Sequence, residues 1–154
     1  MTDGSEARNA RRNEEPPAGR VGPQAGPLHI LLAEDDDEMR KLLAAALRAD
    51  GYAVEEAYNG MDLLAKVARS LLHGSSAVPV DLVITDIRMP GFSGLEVLAA
   101  LRETNRTVPV ILITAFGDLE THQEARRLGA NAIFDKPFDV DDLRTAVLSF
   151  APAH

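Results

Sequence analysis

The sequence predicts an α/β fold, a doubly wound parallel sheet of five strands with helices on both faces. Three observations predict it. Five short apolar runs alternate with five amphipathic stretches from Leu28 onward. The runs are continuous rather than half polar, as strands covered on both faces are. The connections between them are short, as βα units require. A chain of 154 residues, 45% apolar, suits one domain with a substantial core.

Residues 1–27 precede the pattern. They hold four of the nine prolines, four of the eleven glycines and one large branched aliphatic, Val21. This composition predicts a disordered arm. LHILLA (28–33) is the first strand. Met39, Leu42, Leu43, Ala46 and Leu47 then mark one face of a helix that Gly51 ends. YAVEEA (52–57) alternates, which predicts a more exposed second strand. Leu63, Leu64, Val67, Leu71 and Leu72 stripe a helix from about Gly60 to His73. DLVITD (81–86) is the third strand, and Ser93-Gly94-Leu95-Glu96 opens the next helix as an S-x-x-E capping box. VPVILIT (108–114) is the fourth strand. A helix from Asp118 to Leu128 is closed by Gly129, and ANAIFD (130–135) is the fifth strand. Asp139 caps a last helix that ends near Phe150.

Composition narrows the function. There is no cysteine, so disulfides, thiolate chemistry and cysteine-ligated metals are excluded. No apolar run reaches the roughly 18–20 residues of a membrane span. No signal-peptide core is present, so a cytoplasmic protein without membrane attachment is expected. The arm carries four acids against four arginines, so the net charge of −8 belongs to residues 28–154. Such a domain repels polyanions, and nucleic-acid binding by this chain alone is not expected.

A doubly wound sheet binds ligands at the carboxyl ends of its strands. There the sequence places Glu34-Asp35-Asp36-Asp37, then Asp86, Thr114 and Lys136. Asp36 and Asp37 have an ordinary role as cap and first-turn acids. Glu34 and Asp35 lie at the strand end instead, and Asp86 is strand-final. Three close carboxylates raise one another's pKa unless a cation neutralises them. Oxygen donors without histidine or cysteine suit Mg²⁺. Taken singly, Lys136 could be a surface lysine and Thr114 an ordinary β-branched strand residue. Together with the acids they supply charge neutralisation and positioning for phosphoryl transfer, in which an aspartate can itself be the nucleophile.

LLAEDDD, LVITDIRMPGFSGLEVL, VILITAFGD and FDKPFD, in that order and spacing, resemble a response-regulator receiver domain over residues 28 to about 150. The resemblance implies a flavodoxin-like strand order 2-1-3-4-5, with a receiver domain at 28–152 and a short tail at 153–154. It implies phosphorylation of Asp86 by a histidine kinase or histidine phosphotransfer protein, and a signalling phosphoacceptor rather than an enzyme. Mg²⁺ would sit at Asp35, Asp86 and the Arg88 carbonyl, with Glu34 acting through water. Thr114 and the Ala115 N–H would bond phosphoryl oxygens, Lys136 would pair with the group, and Lys136-Pro137 would be cis. The resemblance further implies a downstream protein target of unknown identity, and a monomer or weak phosphorylation-dependent dimer.

Three features depart from the family pattern. Ile133 stands where an aromatic switch residue is usual, leaving Phe116 or Phe134 to supply any ring movement. The segment between Gly60 and Asp86 is roughly eight residues longer than the family pattern leads one to expect. Only Ala-Pro-Ala-His follows the last helix, so no output domain is expected. Among rival readings, an FMN module needs a Ser/Thr/Gly-rich loop where Glu34–Asp37 stand, and a dinucleotide fold needs G-x-G-x-x-G. An aspartyl phosphatase would carry a second acid at position 88, which is arginine. A pseudo-receiver that binds partners without phosphorylation would not need all of Glu34, Asp35, Asp86, Thr114 and Lys136.

Overall fold

The computed structural model describes residues 26–72, 79–104, 107–115 and 117–150, with side chains left out at 71–72. The arm at 1–25, most of the long segment (73–78), Phe116 and the tail lie outside the described residues. Leu28–Ala151 form one compact unit.

Ten elements alternate: β1 His29–Ala33, α1 Asp37–Ala49, β2 Ala53–Ala57, α2 Gly60–Leu72, β3 Leu82–Asp86, α3 Gly94–Thr104, β4 Val110–Thr114, α4 Leu119–Arg127, β5 Ala132–Asp135 and α5 Val140–Phe150. The five strands pair in parallel in the order β2-β1-β3-β4-β5, the order expected. Strand starts lie one or two residues later than the apolar text suggests, because side chains and a proline intervene. Asp81 accepts the His29 N–H at 2.8 Å, and Asn131 Oδ1 accepts the Val110 N–H at 2.9 Å. Pro109 has no N–H to give.

Period-two alternation divides the strand side chains between two cores. Leu31, Ala33, Val83, Val110 and Leu112 meet α2, α3 and α4 through Leu63, Val67, Val97, Leu98, Leu101 and Ala125. Ile30, Leu32, Leu82, Ile84, Ile111 and Ile113 meet α1 and α5 through Leu43, Ala44, Leu47, Leu143 and Val147. Each fully buried leucine or isoleucine contributes about 1.5–3 kcal/mol by leaving water. β3 and β4 are buried along their whole length, whereas edge strand β2 is half exposed.

The helix ends follow the sequence. Ser93 and Glu96 bond reciprocally at 2.8 and 3.1 Å, completing the capping box. Asp36 and Asp118 cap α1 and α4. α1 is rotated relative to the expected stripe: Leu42 is exposed, and Arg40 is buried beside Leu43, Ala44 and Leu47. Among the described residues, no helix is long and apolar enough to cross a membrane.

Candidate functional site: an acid cluster at the carboxyl edge

β1 and β3 are neighbours, so their ends bring Glu34 and Asp35 beside Asp86. One carboxylate oxygen from each of the three lies within 4.8 Å of the others. Glu34 and Asp86 are buried, and Asp35 is exposed.

β5 delivers Lys136 to the same point, and the Lys136-Pro137 bond that follows is cis, as the resemblance implies. Its Nζ lies 2.9 Å from Glu34 Oε1 and 2.8 Å from Asp86 Oδ2. The remaining oxygens also have donors: the Asp36 N–H reaches Glu34 Oε2 at 3.1 Å, and the Arg88 N–H reaches Asp86 Oδ1 at 3.1 Å. Burial pushes the Glu34 carboxyl up to about 7, and the Asp86 charge adds to the rise. The Lys136 and Asp36 donors offset only part of it. Burial lowers the affinity of Lys136 for its proton, but the two carboxylates more than reverse this and hold it above the ordinary lysine value.

Thr114 ends β4, fully buried, and its carbonyl accepts the Lys136 N–H at 2.8 Å. Ala115 follows at the exposed mouth. A cleft of about 650 Å³ opens over this edge, lined among others by Asp35, Arg88, Met89, Thr114 and Asp118. The structure thus brings Glu34, Asp35, Asp86 and Lys136 into one cluster. Thr114 and Arg88 stand on the adjoining cleft wall. The donors are hard oxygens in a negatively charged pocket, so the set fits a hard divalent cation.

Sequence reasoning missed Arg40. Its guanidinium bonds the Glu34 carbonyl at 2.9 Å, Glu56 at 3.1 Å and Asp37 at 2.8 Å, bracing the β1–α1 turn from behind. The only signal was a charge one position away from the apolar stripe. Ile133 packs into the core on the α4 side. Phe134, the next residue, points to the other core and stands 5.7 Å from the Phe138 ring. Phe134 therefore lies on the opposite face of β5 from Ile133.

Residues 30–148 match the family described as Response regulator receiver domain. Sporulation initiation phosphotransferase F of Bacillus subtilis is 35% identical over 123 residues, covering 80% of this chain and 93% of that protein. The regulatory protein AtoC of Escherichia coli is 37% identical over 118 residues, 77% of this chain but only 24% of AtoC. Among solved structures, the Thermotoga maritima response regulator TrrA in complex with Mg²⁺-BeF is 31% identical with a TM-score of 0.66, covering 80% of this chain and 98% of that one. The Vibrio cholerae chemotaxis protein CheY4 is 26% identical with a TM-score of 0.70, covering 81% and 99%.

Proposed function

This chain belongs to the response regulator receiver domain family, and from that membership we propose that Asp86 accepts a phosphoryl group from the phosphohistidine of a histidine kinase or phosphotransfer protein. The carrying observation is the Lys136 ammonium shared between Glu34 and Asp86, with Asp35 in the same cluster. An Asp86 oxygen attacks phosphorus, the P–N bond breaks, and the imidazole leaves as its nitrogen takes up a proton. Asp35, Asp86 and the Arg88 carbonyl, with Glu34 through water, would hold Mg²⁺, which supplies neutralisation of the phosphoryl charge. Lys136 turns from the carboxylates to a phosphoryl oxygen. Thr114 Oγ1 and the Ala115 N–H take the others, holding the group as its charge spreads over the equatorial oxygens.

On this reading the domain spans 28–152, with residues 1–27 as an arm and 153–154 as a tail. It works in the cytoplasm as a phosphoacceptor in a two-component system and changes its grip on a protein target when phosphorylated. The reading is of a single-domain regulator, and the match runs over 93% of the sporulation phosphotransferase.

The test is incubation of the full chain with acetyl phosphate and Mg²⁺, read by intact mass. One phosphate is expected on the wild type, and none after Asp86→Asn or in EDTA. Robust labelling of Asp86→Asn overturns the assignment, and an unlabelled wild type returns the chain to the pseudo-receiver reading.

A further inference from the structure

We propose that Gly60, at the start of α2, is a positioning residue for the loop after β3, so that the affinity for a divalent cation depends on the first turn of α2. The proposal rests on the receiver reading for the identity of the cation, Mg²⁺, while its geometry stands apart from that reading.

Residues 87–93 lie in no helix or strand, yet the Arg88 N–H in this loop fixes Asp86 Oδ1. Something must hold the loop still, and close backbone contacts at glycines do so. At one end, the Gly94 N–H donates to the Ile87 carbonyl at 2.8 Å. A Cβ on Gly94 would overlap the Asp86 carbonyl. At the other end the loop rests on α2. The Gly60 N–H donates to the Pro90 carbonyl at 3.2 Å. A Cβ on Gly60 would overlap the Phe92 carbonyl oxygen and lie 2.6 Å from its carbon. Between the two, Gly91 has a φ of +88° and a Cβ there would stand 3.2 Å from Met61 Cγ, in the same turn of α2.

Gly60 is not in the left-handed region that makes glycine necessary elsewhere. Helix propensity alone favours alanine over glycine. What demands glycine is the space taken by the peptide of Phe92. Restoring an ordinary contact of about 3.5 Å to the carbonyl oxygen after adding a methyl group moves that peptide by well over an ångström. The nearest yielding segment is the loop that carries the Arg88 N–H. The Asp86 carboxylate then loses its orienting donor, and the acid cluster loses its shape.

The experiment is calorimetric titration of the full chain with Mg²⁺. Gly60→Ala is expected to weaken the dissociation constant about tenfold, the loss typical when a group orienting a metal ligand is disturbed. Gly51→Ala is the control: φ is +98° and nothing lies within 4 Å of its Cβ, so it strains the chain without touching the loop. Its melting temperature should fall while its Mg²⁺ affinity stays at the wild-type value. A folded Gly60→Ala protein with Mg²⁺ affinity within twofold of wild type overturns the proposal. Should Gly60→Ala not fold, Asn59→Ala decides. It removes the 2.7 Å cap to the Asp62 N–H and loosens the same turn without adding bulk. A loss of several-fold supports the proposal and no loss overturns it. A wild type that binds Mg²⁺ but takes no phosphate defeats the receiver reading and leaves this comparison intact. A wild type that binds no Mg²⁺ defeats both.

Discussion

Lys136 holds its ammonium 2.8 Å from the Asp86 carboxylate, across 50 residues of sequence. The same ammonium serves Glu34, so the metal-free cluster already contains one counter-charge for two buried acids. That arrangement alters what a charge deletion does. Asp86→Asn weakens an ion pair as well as relieving repulsion, whereas Asp35→Asn only relieves repulsion.

Lys136→Met should therefore destabilise the metal-free domain by about 2–4 kcal/mol, since it leaves buried carboxylates uncompensated. Urea denaturation in EDTA measures this. Saturating Mg²⁺ should recover part of the loss, and labelling by acetyl phosphate should slow about 100-fold, as when one oxyanion donor is removed.

Asp35→Asn should raise the melting temperature in EDTA by a few degrees. Mg²⁺ should stabilise the wild type by mass action and this variant much less. Equal responses of the two to Mg²⁺ would remove Asp35 from the ligand set.

The pH dependence of the metal-free protein has a definite sign. Glu34 binds its proton more tightly folded, near 7, than at its ordinary value of 4.5. Its ionisation therefore opposes folding above pH 7, and that penalty is relieved as pH falls from 7 toward 4.5. In EDTA the denaturation midpoint should rise from pH 8 to pH 5.5, and Glu34→Gln should flatten the rise. Asp118 acts oppositely. The Thr121 N–H holds its carboxyl below the usual range, so its contribution fades only as pH drops below about 4.

The switch should run through α4. His122 on α4 meets both oxygens of Asp135 at 2.9 and 3.1 Å, beside Lys136. A Thr114 drawn toward a phosphoryl group therefore disturbs a helix tied to the end of β5. Beryllofluoride with Mg²⁺ should produce its large amide shifts over residues 114–128, and Thr114→Ala should shrink them. Shifts centred on residues 60–80 would refute this account.

The parallel sheet was legible because apolar runs and helical stripes stayed in phase for five units, glycines at positions 51 and 129 marked two helix ends, and the strand order came from the resemblance to the family. Asp86, Glu34, Asp35 and Lys136 were legible because strand ends converge on one edge in this topology. Arg40 was not, because a charged residue adjoining a leucine stripe reads as surface until the rotation of the helix is known. Gly60 was not, because its need is steric and its contact lies 32 positions away, at Phe92. The fate of Phe134 was hidden by period two: one residue separates the two faces of β5, and only the pairing register says which face is which.

β3 is the middle strand, bonded to β1 on one side and β4 on the other, with all five residues buried. Amide protons in such a strand exchange last, through global rather than local opening. Water would thus reach an acyl phosphate on Asp86 by way of the open cleft and not by breathing of the sheet. On the proposed function, the lifetime of that phosphate would be separable from the stability of the fold. Core substitutions such as Ile84→Val should speed amide exchange throughout β3 and leave the half-life of the phosphoryl group unchanged, while changes on the cleft wall at Met89 should reset that half-life with the melting temperature intact.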